Sequence, residues 1–195
     1  SGNNIDFRHT LPTEKVKELE KISGVAAVDF FRAINSSYND QPFTLASGDF
    51  TVVSEFASLV IKNGAKTSKL ADLMVGQNRC IVSEAFSIKH GFDVGDVVSF
   101  QSPSGVLDLE IVSIYYDYSQ ERGYVVMDRQ TYKKYYREER INSIVIYLDD
   151  KTQLNTVRKH IVRHLGGGQG ILICTNQELK KEVLRIFDRT FAITY

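Results

Sequence analysis

The sequence lacks the features that mark several common protein classes. It has no tryptophan, only three prolines, and no excess of either charge, because 24 lysines and arginines balance 24 aspartates and glutamates. Zero net charge argues against a dedicated nucleic-acid-binding protein, which usually carries a basic excess. The residues given contain no signal-peptide pattern and no apolar run long enough to cross a bilayer. A hydrophobic share of 43% instead predicts a folded chain with a substantial core.

Cysteine is also scarce. Cys80 and Cys174 lie far apart and form no CxxC motif, so the sequence predicts neither a structural zinc site nor a thioredoxin-type redox site. Two buried free thiols are favoured, since free cysteine is commonly a core residue. One long-range disulfide stays open as the alternative.

The period of the apolar residues divides the chain into a middle part and two flanking parts. Residues 68–140 are mostly short strands with a period near two, whereas both ends predict units of helix and strand. This pattern predicts an α+β fold. One discontinuous α/β subdomain is formed by residues 1–67 and 141–195, and a β-rich subdomain formed by residues 68–140 is inserted into it.

Local motifs predict where the elements begin and end. The first helix ends at Gly24, a strand follows, the polar residues 35–42 predict a loop, and residues 50–56 are a short extended candidate. Ser83 and Asp128 have the side chains that cap helix starts. Further strands are predicted at residues 79–82, 94–101, 106–116, 123–127, 141–148 and 170–174, and further helices begin at Ser68, Thr152 and Thr175.

No motif predicts catalysis. His160 and His164 have the i, i+4 spacing of metal ligands, but the neighbouring basic residues would repel a cation, so a solvated basic face is favoured. The glycine-rich residues 166–170 follow a helix and precede a strand, which is the wrong order for a phosphate-binding loop. Four acidic residues could pair as acid and base, but their spacing does not predict it; a turn residue, a helix cap and a solvated pair explain Asp117, Asp128, Glu138 and Glu139.

Tyrosine is concentrated in one part of the chain. Seven of the ten tyrosines fall between residues 115 and 136. Tyrosine is enriched at interfaces because its ring is apolar and its hydroxyl prefers a wet environment. A contact surface and a tyrosine-rich packing within the module explain this concentration equally well. The candidate surface consists of Tyr115, Tyr116, Tyr118, Tyr132, Tyr135 and Tyr136.

Several motifs, in this order, resemble the extracytoplasmic domain of FtsX/MacB-type ABC transporter permeases. Residues 81–86 (IVSEAF) followed by residues 90–98 (HGFDVGDVV) are similar to the start of that family's inserted module. Residues 114–118 and 123–132 (GYVVMDRQTY) resemble its next section. Residues 142–146 (NSIVI) look like one of its strands, and residues 186–194 (IFDRTFAIT) resemble the segment before its second transmembrane helix.

The resemblance implies an architecture and a role. The family's domain combines a porter-like α/β subdomain with an inserted β-rich one, and lies on the periplasmic or extracellular side of the cell membrane. It implies a non-enzymatic domain without a cofactor, which binds a substrate or partner and transmits ATP-driven motion. The implied partners are a separate cytoplasmic ABC ATPase subunit, a second permease subunit, and a lipoprotein, a peptide or a hydrophobic small molecule. It implies no nucleic acid, and membrane attachment through flanking helices.

Two working surfaces are predicted, the tyrosines and the junction of the two subdomains near Arg140 and Ile141. The start at Ser1 without methionine and the apolar end near Tyr195 predict a piece of a longer chain. The rival hypotheses are a free-standing soluble enzyme or ligand-binding protein with two subdomains, and a metal-binding module that uses the two histidines of residues 160–164.

Overall fold

One mixed sheet organises the fold. The computed structural model describes residues 10–11, 13–62, 64–117, 121–149 and 154–164. Within them, seven strands form a sheet in the order β4-β5-β3-β6-β2-β1-β7. The strands are β1 Val25–Tyr38, β2 Gln41–Gly48, β3 Arg79–Ser83, β4 Val97–Ser102, β5 Gly105–Tyr115, β6 Tyr124–Asp128 and β7 Ser143–Leu148. The helices are α1 Thr13–Lys17, α2 Phe50–Phe56, α3 Leu70–Met74, α4 Glu84–His90, α5 Arg129–Tyr136 and α6 Leu154–His164.

The hairpin between β1 and β2 corrects the loop predicted at residues 35–42. Both strands continue through this polar segment, and Tyr38 pairs with Gln41. Only Asn39 and Asp40 form the turn, and both have positive φ angles of 49° and 59°. These residue types tolerate the left-handed conformation that a two-residue hairpin turn needs. A polar composition therefore concealed a continuous hairpin.

The segment 50–56 is a helix, which corrects its prediction as an extended segment. The Asp49 side chain accepts a hydrogen bond from the Thr51 backbone N–H at 3.0 Å and caps this helix, α2. Phe50 is buried against the sheet. The aromatic and β-branched residues of the segment favour a strand by composition, but the cap and the burial of Phe50 select the helix.

Cap chemistry predicted two other helices correctly. The Ser83 hydroxyl accepts a hydrogen bond from the Phe86 N–H at 3.3 Å at the start of α4, and Gly91 ends this helix in the left-handed conformation. Asp128 caps α5 through the Gln130 N–H at 3.0 Å. Both helices directly follow buried strands, so the cap residues also fix the exit of each strand.

Alternation along the strands separates two cores on opposite faces of the sheet. Along β3, Cys80 and Val82 belong to one core, whereas Ile81 belongs to the other. Helices α4 and α5 contribute Phe86 and Tyr132 to the first core. Helices α2 and α3 contribute to the second core with Phe50, Leu70 and Met74. The sheet therefore lies between two helical layers, and the predicted α+β fold class is confirmed.

A third core joins segments from distant parts of the chain. It contains six buried residues from α1, its following turn, β1, the segment before β7, and α6: Val16, Leu19, Val28, Ile141, Val157 and Ile161.

The predicted discontinuous subdomain supplies β1, β2 and β7, and the predicted insert supplies β3 to β6. The two sets meet in the parallel pairing of β2 with β6. The boundaries at residues 67/68 and 140/141 stay a prediction.

Some predictions lie outside the described residues. These are the glycine-rich residues 166–170, the last strand and helix, and Cys174. Cys80 is a free and fully buried thiol, and burial raises its pKa far above the ordinary value. No helix among the described residues is long and apolar enough to cross a membrane.

Candidate functional site

Four buried charged residues and one mostly buried one lie where β1, β6, α5 and the connection from α5 to β7 meet. We call Asp29, Arg32, Asp128, Arg129 and Glu138 the junction cluster. The first four are no more than 8% exposed, and the Glu138 side chain is 17% exposed. Charged residues are almost never buried unless they are paired or hydrogen-bonded. The partners of these five residues therefore show what the cluster holds in place.

Asp128 joins three separate segments through one carboxylate. Besides capping α5, its oxygens accept hydrogen bonds from the Phe50 N–H at 3.4 Å and the Gly76 N–H at 3.1 Å. Phe50 opens α2, and Gly76 follows α3. The side chain is 1% exposed. A single buried carboxylate thus fixes the starts of α2 and α5 and the end of α3 relative to the sheet.

Arg129 holds the chain as it leaves α5. Its guanidinium donates to the backbone carbonyls of Glu139 at 2.7 Å and Arg140 at 3.2 Å, and to the Ser47 hydroxyl at 3.4 Å. It also lies 5.9 Å from the centre of the Tyr132 ring. Burial lowers the pKa of Arg129, and the neighbouring Tyr132 and acidic groups oppose that shift. The contact to Ser47 links this connection to β2.

Glu138 connects the same segment to β1. One of its oxygens accepts a hydrogen bond from the Arg32 Nε at 2.9 Å and forms an ion pair with the Arg140 Nε at 2.9 Å. This corrects the prediction that Glu138 and Glu139 form a solvated pair. Glu139 is exposed and lies 3.5 Å from the Lys133 amine, as predicted for a surface group. Glu138 is mostly buried and lies between two guanidinium groups.

Asn142 bonds the same segment to β1 at a further point. Its side-chain oxygen accepts from the Ala33 N–H at 3.0 Å, and its amide donates to the Ala33 carbonyl at 2.7 Å. Its own backbone N–H donates to the Phe31 carbonyl at 3.1 Å. Residues 138–142, which we call the connection, are therefore bonded to β1 and to α5 at successive positions. This arrangement holds segments of the chain together. It does so through hydrogen bonds to backbone groups and through ion pairs between side chains.

Asp29 lies at the other side of the cluster, in β1. Its carboxylate accepts from the Asp49 N–H at 2.7 Å. Burial raises its pKa to about 6, helped by the charges of Asp49 and Asp128 and opposed by the hydrogen bond and by Arg129. The carboxylate is packed against Gly48, where an added Cβ would lie 3.2 Å from its Oδ2. This carboxylate therefore supports the turn that leads into α2.

The predicted tyrosine surface is divided between the two faces of the sheet. Tyr132 is fully buried in the core with α4, and Tyr115, at 8% exposed, is buried in the opposite core. Burial raises the pKa of both phenols. Neither side chain is available to a partner in this conformation, so these two residues have the packing role that was the alternative explanation.

The other tyrosines of the set are partly accessible. Tyr135 accepts a hydrogen bond from the Asn78 side chain at 2.7 Å, and Tyr136 stacks on Tyr132 with ring centres 4.5 Å apart. Tyr116 is half-buried after the end of β5. Tyr118 lies outside the described residues. A partner surface at Tyr116, Tyr135 and Tyr136 stays a prediction.

The two histidines of α6 have different surroundings. His160 is exposed, and the His164 Nε2 lies 2.9 Å from the Glu18 carboxylate. Across the part of the chain that the structure describes, no group of three or more histidine, cysteine or acidic side chains is arranged to hold a metal ion. His164 connects α6 to the turn after α1.

The chain matches a known protein family over most of its length. The profile of the MacB-like periplasmic core domain matches residues 2–164. An uncharacterized ABC transporter permease protein of Mycobacterium tuberculosis is 21% identical over 97 residues. That match covers 50% of this chain and only 11% of the relative's length.

Two solved structures share the fold. The periplasmic region of MacB from Actinobacillus actinomycetemcomitans superimposes with a TM-score of 0.60 at 16% identity, covering 89% of this chain and 83% of that one. The extracellular domain of the ABC-type transporter YknZ from Gram-positive bacteria gives 0.56 at 14% identity, covering 84% and 86%. The resemblance to this family in the sequence is thereby confirmed, and the chain belongs to the family of MacB-like periplasmic core domains.

Proposed function

We propose that the chain is the extracytoplasmic domain of an ABC permease subunit in the cell membrane, where it binds a substrate or partner protein and transmits ATP-driven motion without catalysis. Membership of the periplasmic core domain family supports the location. In this proposal, hydrolysis is performed by a separate cytoplasmic ATPase subunit, and a second permease subunit completes the transporter. The partner that the domain contacts is a lipoprotein, a peptide or a hydrophobic molecule.

The proposal that the domain transmits motion rests on the way residues 138–142, the connection, are bonded to β1 and α5. A domain that transmits motion needs stiff links between the segments that lead to the membrane and those that face the partner. Glu138 links the connection to β1 through Arg32, and Arg129 holds two of its carbonyls. Breaking a buried ion pair by removing one partner is strongly destabilising, so this link resists local bending. We infer that the domain moves as one body when the membrane part of the permease changes shape.

The substitution Glu138→Gln tests this proposal in the complete permease with its ATPase. It removes the charge that Arg32 and Arg140 share at 2.9 Å, so we expect substrate transport per ATP hydrolysed to fall at least about tenfold, the equivalent of roughly 1.4 kcal/mol of lost coupling. The measurement is transport and ATP hydrolysis in the same reconstituted vesicles.

The matched control is Glu110→Gln. Glu110 also meets an arginine Nε, that of Arg79, at 2.9 Å, but both side chains are substantially exposed. Exposed pairs contribute little to stability, so this variant should keep normal coupling. Equal coupling in the two variants, with both domains folded by circular dichroism, would contradict a transmitting role for Glu138.

A further inference from the structure

We propose that Asp29 makes the seating of α2 on the sheet responsive to the pH of the surrounding solution. With its carboxyl group neutral, the start of α2 is held on β1. With the group ionised, the turn at residues 48–50 opens more readily. This pH response rests on the proposed function. A domain outside the cytoplasm contacts a solution whose pH varies far more than that of the cytoplasm.

The geometry places the first residues of α2 directly on this carboxyl group. Asp29 is 4% exposed. Its Oδ1 accepts the Asp49 N–H at 2.7 Å, and its Oδ2 lies against the Gly48 backbone. Phe50, the next residue, is 1% exposed and packs in the core between α2 and the sheet. This turn therefore covers the Asp29 carboxyl group, and opening the turn exposes the group to water.

Charged and titratable groups face Asp29 from every neighbouring element. Asp49 at the α2 cap and Asp128 in β6 disfavour its ionisation, and Arg129 in α5 favours it. Tyr147 in β7 stays neutral near pH 7, since burial and the charge of Asp29 raise its pKa to about 12. Burial is the largest effect on Asp29. A burial cost of this kind disappears once the carboxyl group becomes solvated.

The direction of the pH effect follows from two pKa values. While α2 is seated on the sheet, which we call the closed state, the pKa of Asp29 is about 6, whereas its ordinary value is 3.8. The closed state therefore binds the proton of Asp29 more tightly than the open state does. The stabilisation is complete below the ordinary value and is lost as the pH rises through about 6. The equilibrium constant for opening α2 should accordingly rise about tenfold between about pH 5 and about pH 7.

Hydrogen exchange of the α2 amides measures that opening. In this chain, exchange corrected for the intrinsic pH dependence should become about tenfold faster over that range. The Asp29→Asn variant should show no such change. The Asp108→Asn variant, which alters an exposed carboxylate hydrogen-bonded to the Ser99 hydroxyl, should behave like the unmodified chain. The same dependence in Asp29→Asn would overturn the proposal.

A second measurement tests the pH response of α2 if Asp29→Asn does not fold. Carbon NMR of the unmodified chain should show Asp29 titrating near pH 6, together with shifts in the α2 amides. Titration near the ordinary value, or no response in α2, would overturn the proposal. Both experiments use the domain without its transporter. Their failure would therefore leave the permease assignment untouched, and a failed transport experiment would leave the titration of Asp29 untouched.

Discussion

Replacing Asp128 with alanine is expected to lower the free energy of unfolding by about 3 kcal/mol. The substitution leaves three backbone N–H groups without their acceptor, that of the buried Phe50 and those of Gly76 and Gln130, whose hydrogen bonds are partly buried. An unsatisfied buried donor costs about 1–3 kcal/mol, and bonds to a charged acceptor are at the strong end. Chemical denaturation followed by circular dichroism measures the loss.

Two other variants provide reference values for this loss of unfolding free energy. Asp49→Ala removes one exposed capping hydrogen bond, from the Thr51 N–H of α2, and should cost about 1 kcal/mol. Asp128→Asn keeps one acceptor oxygen and should fall between the two. If Asp128→Ala were no more destabilising than Asp49→Ala, the carboxylate would not be holding three segments together.

Tyr132→Ala is expected to cost about 3–5 kcal/mol, because it removes a fully buried aromatic side chain and leaves a cavity. Tyr135→Ala should cost much less, about 1–2 kcal/mol, because this side chain is only half-buried and its hydroxyl contact is with the exposed Asn78. Thermal and chemical unfolding of the two variants provide the comparison. Equal losses would contradict the placement of Tyr132 in the core.

This difference decides which tyrosine can test the proposed partner surface. Loss of transport in Tyr132→Ala would report an unfolded domain and would say nothing of a contact. Tyr135→Ala should leave the domain folded, so lost partner binding in that variant would support the surface, and unchanged binding would argue against this residue taking part in it.

The parts of the fold that the sequence predicts are those governed by local chemistry. The caps at Ser83 and Asp128 use side chains within three residues of the N–H groups they satisfy. The period of two along β3 and β6 places alternate residues in two cores, as alternation requires. The cap at Asp49 is equally local, but the prediction for residues 50–56 uses only their strand-like composition.

The junction cluster could not be predicted in detail because its contacts are distant along the chain. Arg32 and Glu138 are 106 residues apart, and Ala33 and Asn142 are 109 apart. The prediction of a working junction near Arg140 and Ile141 rested on the order of the elements and identified no partner in β1. The sequence contains one relevant signal, the charged residues at positions 29 and 32 inside the otherwise apolar residues 25–34 of β1.

The tyrosine set shows the limit of composition as a guide. Six tyrosines close in sequence suggested one surface, but Tyr115 of β5 and Tyr132 of α5 belong to cores on opposite faces of the sheet. Which side of a sheet a residue occupies depends on register and on the path of the following chain, and neither is encoded in a local count of residue types.

The central claim, that the domain moves as one body, is tested most directly by a distance measurement in the complete transporter. Spin labels would replace the exposed Ser104, in the turn between β4 and β5, and the exposed Lys21, after α1. The native cysteines of the transporter, including Cys80 and Cys174 of this domain, would be replaced by alanine. If the domain moves as one body, the distance between these labels should be the same with and without ATP, and its distribution should be broader in Glu138→Gln. A distance that changes with ATP in the otherwise unaltered domain would show that the domain bends instead.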